Sequence, residues 1–345
     1  FFNCDWMNYG KLRLSWGKNG NRDIGVYSAL MDMSTRKYFY IDGNGNYYDV
    51  NGFFANRMAN SALKWETTTA VNGGVDFSFL NSRIDGSLDV YLTKTNDLLN
   101  SRQLPNVIGY QNITSNIGEI RNKGFEVSLR SVNIESKNFT WRTTFNLSYN
   151  KNRIKHLYGD MVDIVDENGN VVGQKEADDV NNKLFIGHSL DDIWGLEVIG
   201  VWQENEAEEA AKYGVRPGDF KVLDIDGDYK YTQKDHTFQG TKTPKVRWNM
   251  RNDFTIFRDF HFSFTLYSAL GSKRVYNRAK NTGESMDRQN WYKIPYWTPE
   301  NPINDYARLN SGQGGASFDV YRNNSFIRLD NISIGYTVPT TIISK

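Results

Sequence analysis

Apolar and polar side chains alternate along Val75-Asp76-Phe77-Ser78-Phe79. After Leu80-Asn81-Ser82-Arg83 the alternation resumes through Ile84-Asp85-Gly86-Ser87-Leu88-Asp89-Val90-Tyr91-Leu92. It returns from Phe139 to Tyr149 and from Phe260 to Tyr267. Successive side chains on a strand point to opposite faces, so each run predicts a β-strand with one greasy face and one wet face. Strands of about 10 residues, aromatic-rich outside and polar inside, are what a transmembrane β-barrel requires. A soluble β-sandwich or propeller that buries one face produces the same alternation.

The connections favour the barrel. Lys11–Gly17 reads as a strand that ends in the loop Lys18-Asn19-Gly20-Asn21, and residues 23–64 read as loop, rich in Gly, Asn and Tyr. Strands follow near 66–80, 84–94, 119–131, 139–150, 244–257, 260–270 and 325–338. Short connections fall near 81–83, 132–138 and 258–259, and long ones near 95–118, 151–190 and 271–324. Short turns facing the periplasm and long loops facing outward are the habit of outer-membrane barrels. Structureless connections of the longer kind are uncommon inside compact soluble domains. One parity question arises: strand 139–150 runs outward and 244–257 inward, so the residues between them cross the membrane an even number of times. Asp192–Trp202 therefore belongs to an external hairpin, or the chain holds a further crossing. The one helical-looking stretch, Glu204–Lys212, is short and polar.

Composition narrows the class. Twenty Tyr, 20 Phe and 9 Trp make 14% of the chain aromatic, which suits interfacial girdles or sugar-stacking surfaces. The formal charge is +1, with 41 Lys and Arg scattered among 40 acids, so nothing argues for nucleic acid as a partner. A single cysteine, Cys4, allows no intrachain disulfide and selects no compartment. No apolar run approaches the roughly 18 residues of a membrane-spanning helix. The chain opens on Phe1 without a signal peptide and stops abruptly at Lys345, which gives the expectation of an internal piece of a longer protein.

One segment has metal-ligand spacing. Asp224-Ile225-Asp226-Gly227-Asp228-Tyr229-Lys230-Tyr231-Thr232-Gln233-Lys234-Asp235 places acids at the first, third, fifth and twelfth positions of an EF-hand-like loop. A hard cation such as Ca²⁺ takes six to eight oxygens, and this spacing wraps carboxylates around one centre. The carbonyl of Lys230 and the Thr232 hydroxyl, directly or through water, would add to Asp224, Asp226, Asp228 and Asp235. Tyr229 stands where Gly is usual, Asp235 is shorter than the customary Glu, and no helix pair flanks the loop. An acidic turn without metal is the competing reading. A bound ion would stiffen an external loop rather than catalyse.

Other chemistry is mostly missing. His156, His188, His236 and His261 are far apart in sequence and form no zinc motif. Gly187-His188-Ser189-Leu190-Asp191 lacks the second Gly of a nucleophile elbow. No phosphate loop or dinucleotide fingerprint is present, and acid pairs such as Asp178-Asp179 read as solvated loop charge. The chain is not expected to be an enzyme. Trp291-Tyr292-Lys293-Ile294-Pro295-Tyr296-Trp297 is an aromatic cluster in a long outward loop. Packing of the loop, docking of a partner, and contact with cargo through Trp291, Tyr292, Tyr296 and Trp297 all remain open for it.

The ordered set of segments resembles the C-terminal barrel region of the SusC/RagA family of TonB-dependent outer-membrane transporters of Bacteroidota. The likeness is carried by Lys11–Asn21, Lys64–Thr69, Gly74–Arg83, Tyr91–Leu99 and Asn116–Glu126. It continues through Pro217-Gly218-Asp219-Phe220-Lys221, Tyr296–Pro302 and Phe326–Tyr336. No segment is decisive alone, but their order matches along essentially the whole chain. The resemblance implies a barrel of about 22 strands around an N-terminal plug, to which residues 1–345 would supply roughly nine or ten strands. It implies a SusD-like surface lipoprotein as lid, import of oligosaccharides or peptides, and energy passed through TonB. It also implies an aspartate-rich loop at Asp224–Asp235. Plug, TonB-contacting segment and terminal strand are not among these residues.

On this reading Asp85, Ser87, Asp89, Arg142, Thr144 and Asn146 line the lumen, while Phe77, Phe79, Leu88, Val90, Phe262 and Phe264 meet outer-membrane lipid. The alternative is a soluble secreted β-rich glycan-binding module that buries the same apolar residues.

Overall fold

The computed structural model describes residues 6–21, 27–281 and 293–339. Among these residues eighteen strands form: β1 Met7–Asn21, β2 Asp32–Ile41, β3 Tyr47–Met58, β4 Glu66–Phe79, β5 Ile84–Gln103, β6 Asn112–Glu135, β7 Phe139–His156, β8 Met161–Val165 and β9 Val171–Glu176. They continue as β10 Asp192–Leu196, β11 Val198–Val201, β12 Phe220–Val222, β13 His236–Thr241, β14 Val246–Ile256, β15 Phe260–Leu270, β16 Lys273–Val275, β17 Tyr321–Asn323 and β18 Phe326–Tyr336. Among the described residues the one α-helix is α1, Ala207–Lys212. The chain divides into two compact units, one of residues 1–190, 250–263 and 333–345, the other of 191–249 and 264–332.

The principal sheet runs β1-β4-β5-β6-β7-β14-β15-β18. β1 with β4, and β4 through β7, pair antiparallel over nearly their full lengths. The sheet order bears on the parity question. β7 and β14 are neighbours in the order, while β10 pairs β13 and β11 pairs β12 in small sheets of their own. Asp192–Trp202 thus contributes no strand to the principal sheet, in keeping with the hairpin alternative.

In the first unit, register sorts the side chains onto two faces. Val75 lies opposite Leu88 and Phe79 opposite Ile84, and Val127 opposite Leu147 continues that apolar face. Asp76 lies opposite Ser87, Ser78 opposite Asp85 and Ser128 opposite Asn146 on the other. The polar face is tied internally. Arg13 pairs with Asp76 at 2.8 Å and Asp89 at 2.9 Å, and the Ser128 hydroxyl donates to Asn146 Oδ1 at 2.8 Å. Nothing described covers the apolar face: Trp16 is 72% exposed, Leu14 77% and Val90 54%. So broad a bare apolar surface marks an interaction surface. Here it alternates with a polar face as lipid-facing and lumenal sides do.

Aromatic side chains gather at the short-turn end of that face. Phe79 stacks on Trp6 and Phe77, Phe254 stacks on Trp141 and Phe262, and Phe260 lies against Tyr336. Trp141 Nε1 and the Thr143 hydroxyl both donate to Asn252 Oδ1, at 2.9 and 2.7 Å. Amphipathic aromatics in this position form an interfacial girdle. The turns themselves are tight. Leu80, Asn81 and Ser82 take φ of 54°, 57° and 59°, and Phe257 and Arg258 take 50° and 69°.

Several segments read as loop are paired strand. Residues 23–64 contain the ribbon β2–β3, whose Tyr40 lies opposite Tyr48. The connection expected at 95–118 shrinks to 104–111 because β5 and β6 extend outward, and 151–190 contains the end of β7 and the ribbon β8–β9. Beyond the membrane both faces of a ribbon meet water, so the alternation that identifies a membrane strand disappears while cross-strand hydrogen bonds persist.

Candidate functional site

The aspartate loop lies in the second unit between β12 and β13. Asp235 is fully buried, and its carboxylate accepts hydrogen bonds from Ile225 N at 2.9 Å, Thr232 N at 2.7 Å and the Thr232 hydroxyl at 3.2 Å. Asp224 accepts from Gly227 N at 2.8 Å, Tyr229 N at 3.1 Å and the Tyr213 hydroxyl at 3.0 Å. Asp226 holds the Lys234 ammonium at 3.3 Å. One oxygen from each of Asp224, Asp226 and Asp235 lies within 4.8 Å of the others. Oxygens that share a Ca²⁺ at 2.3–2.6 Å are at most about 5 Å apart, so the trio fits such an ion. Asp228 is outside the trio and accepts from Lys230 N at 2.8 Å.

Burial pushes the Asp235 carboxyl up, but the backbone N–H groups of Thr232 and Ile225 and the Thr232 hydroxyl outweigh it and hold it below the usual range. Burial and the neighbouring Asp224 carboxylate push the Tyr213 phenol up.

The departure from Gly at the sixth position has a local cause. Tyr229 takes φ +63°, which costs a non-glycine residue roughly 1–2 kcal/mol. Its ring meets Tyr213 edge-on at 5.5 Å and carries the Lys212 ammonium at 4.9 Å. Those contacts offset the backbone cost. Tyr213 in turn stacks on Tyr231 at 5.1 Å.

The predicted aromatic cluster is only partly described. Trp291 and Tyr292 lie outside the described residues. Trp297 is 5% exposed in a core with Leu196, Val201, Phe220, Val222 and Phe318, and its Nε1 donates to Gln203 Oε1 at 2.9 Å. That is the packing alternative for Trp297, whose ring offers no free face. Tyr296 is 39% exposed and lines an open hollow of about 490 Å³ with Lys293, Pro295 and Asn301.

Sequence reasoning missed the pair that braces this region. Asp219 and Arg308 meet at 2.8 Å, with side chains 2% and 16% exposed. Arg216 N and Gly312 N also donate to the Asp219 carboxylate, at 3.1 and 2.9 Å. Gly218 turns the chain into the pair at φ +88°, and a Cβ there would lie 2.5 Å from Trp297 Cε3. The available signal was Pro217-Gly218-Asp219, a turn followed by an acid; nothing local in sequence pointed to Arg308.

Comparison with known proteins agrees with this architecture. Residues 5–186, more than half of the chain, match the family described as TonB dependent receptor-like, beta-barrel. The chain is 31% identical over 343 residues to TonB-dependent receptor P26 of Formosa agariphila, covering 95% of this chain and 33% of that protein. It is 30% identical to TonB-dependent receptor SusC of Bacteroides thetaiotaomicron, covering 95% of this chain and 31% of SusC. In structure it superposes on the RagAB peptide transporter with a TM-score of 0.70 at 19% identity, covering 99% of this chain and 36% of that one. The chain therefore spans about a third of the length of these relatives.

Proposed function

Because this chain belongs to the TonB-dependent receptor-like β-barrel family of the outer membrane, we propose that it forms part of the wall and outer loops of a nutrient importer. The cargo is an oligosaccharide or a peptide, a SusD-like surface lipoprotein closes the mouth, and TonB supplies the energy through residues outside this chain. The observation that carries the reading is the two-faced sheet, with Arg13, Asp76 and Asp89 ion-paired on one side and Val90 and Leu14 bare on the other. The SusC and RagAB likenesses support the partner and the cargo classes. No catalytic arrangement is needed for this work.

A Ca²⁺ held by Asp224, Asp226 and Asp235 completes the proposal. Further oxygens would come from Asp228, the Lys230 carbonyl and Thr232, and Lys234 would be displaced from Asp226. The ion would join the two ends of the loop and neutralise their carboxylates, with no part in chemistry. Tyr296 is the described aromatic that supports cargo contact.

Native mass spectrometry of the full-length protein, extracted in detergent from outer membranes, tests the importer. A co-purifying lipoprotein with a retained oligosaccharide or peptide supports it. Recovery from aqueous buffer without detergent and without a partner overturns it in favour of the soluble glycan-binding reading.

A further inference from the structure

A row of cations crosses the outer end of the lipid-facing side. Lys18, Thr69, Lys94, Arg121 and Arg153 are successive Cα partners across β1, β4, β5, β6 and β7. The row beneath it reads Trp16, Val71, Leu92, Lys123 and Lys151. Residues two apart on a strand share a face. Lys94 therefore continues the face of Val90 and Leu92, Lys123 that of Val127 and Phe125, and Lys151 that of Leu147 and Tyr149. All belong to the first compact unit.

The strand sets their height. From Ile84, beside the short turn, to Lys94 the chain climbs about 33 Å at ~3.3 Å per residue. At a tilt of about 40° that is roughly 25 Å of height, the thickness of the apolar band of an outer-membrane barrel. The cations thus stand at the rim where hydrocarbon gives way to headgroups. Trp16, 72% exposed, and the Phe125–Tyr149 stack at 5.5 Å mark the same rim.

Register sets Lys94 against Arg121, Arg121 against Arg153 and Lys123 against Lys151. Like charges directly opposite each other on paired strands are destabilising. Glu119 gives partial relief: its carboxylate, 8% exposed, meets Lys94 at 2.6 Å and Arg121 at 2.5 Å. Among the described residues Lys18, Lys123, Lys151 and Arg153 have no ion pair. Lys18, Lys123 and Arg153 are exposed. Asp89 and Glu126, acids of the same strands, are partners on the lumenal face.

We propose that these two rows bind the phosphate groups of outer-leaflet lipid. Phosphate supplies the negative charge that the rows lack. The Arg153 fork matches paired phosphate oxygens, and the lysines act as point charges. Lys and Arg stems lie along apolar surface with their heads at its edge. The acyl chains of the same lipid then cover Val90 and Leu92 just below. A soluble acid meets only the cations, whereas a lipid meets both parts of this continuous face. The inference goes beyond import: it rests on the lipid-facing assignment of this wall, and is independent of cargo and partner.

The test is native mass spectrometry of the full-length protein in neutral detergent. It is offered bis-phosphorylated lipid A, or the same lipid with both phosphates removed. The phosphorylated form is expected to be retained at least tenfold better, and less so as ammonium acetate is raised. Lys123→Gln with Lys151→Gln and Arg153→Gln is expected to lose that preference. Lys123→Arg with Lys151→Arg and Arg153→Lys is expected to keep it within a few-fold, which separates loss of charge from loss of fold. Equal retention of both lipids overturns the proposal and leaves the wall lipid-facing. An unchanged preference in the glutamine variant, or a second protein chain retained in place of lipid, also overturns it. Retention of neither lipid, with failure to insert into phosphatidylcholine vesicles, overturns the wall assignment itself.

Discussion

Arg13, on β1, reaches past β4 to Asp89 on β5, its guanidinium 2.9 Å from the carboxylate. Asp76 on β4 completes the trio at 2.8 Å. Three strands are therefore cross-braced on the polar face, where no packed core holds them together. The opposite face is left to lipid. The contrast gives the first expectation.

Leu88 stands opposite Val75, midway along the apolar run of β4 and β5. Leu88→Arg places a cation near the bilayer midplane and is expected to cost about 2–4 kcal/mol of barrel stability. Ser87→Arg, one residue away, points among Asp76, Asp85 and Asp89 and is expected to be tolerated. Folding yield of the full-length protein into vesicles reads both changes; equal effects contradict the face assignment.

Asp219 and Arg308 form a buried pair, and removal of one member leaves the other charge stranded. Asp219→Ala is expected to destabilise the outer loops by about 3–5 kcal/mol. Asp219→Leu combined with Arg308→Met is expected to be milder than the single change. Limited proteolysis of the detergent-purified protein ranks the variants.

The aspartate loop should sense acid. The folded carboxyl of Asp235 lies below its ordinary value of 3.8, so it contributes stability that is fully present above that value. This stability is lost as pH falls from about 4 through the lower folded value. Tyrosine fluorescence from Tyr213, Tyr229 and Tyr231 is expected to report the opening, and Asp235→Asn to abolish its pH dependence. Added Ca²⁺ is expected to shift the opening to lower pH and to slow proteolysis at the loop. If chelation leaves proteolysis unchanged, the loop works without metal.

Arg258 occupies a turn position at φ +69°. Arg258→Gly accepts that conformation without strain and is expected to be neutral or to stabilise the β14–β15 hairpin by less than about 1 kcal/mol. Chemical denaturation of the folded barrel measures it.

The membrane strands were legible because lipid on one side and water on the other imprint a period of two. Phe260–Leu270 emerges with the bounds that alternation gave it. The ribbon β2–β3 left no such imprint, since Phe39 and Tyr47 are exposed at 78% and 75% and neither face is reserved for lipid. Its tip was nevertheless written locally: Asp42 accepts from Asn44 N and Asn46 N, and Asp166 at the β8–β9 tip repeats the pattern with Asn168 N and Asn170 N. The aspartate loop was visible as spacing, which gave the acids but not their grouping; Asp228 turns away onto Lys230 N. For Trp297 the sequence left packing, docking and cargo contact open, because it shows the ring and not the Gly218 turn that presses against it.

The most direct test places nitroxide labels at Leu88→Cys and Ser87→Cys in the full-length barrel reconstituted in vesicles. Residue 88 is expected to be accessible to oxygen and shielded from a water-soluble relaxation agent, with the reverse at residue 87. Equal access of the aqueous agent to both positions would contradict a sheet that divides lipid from lumen.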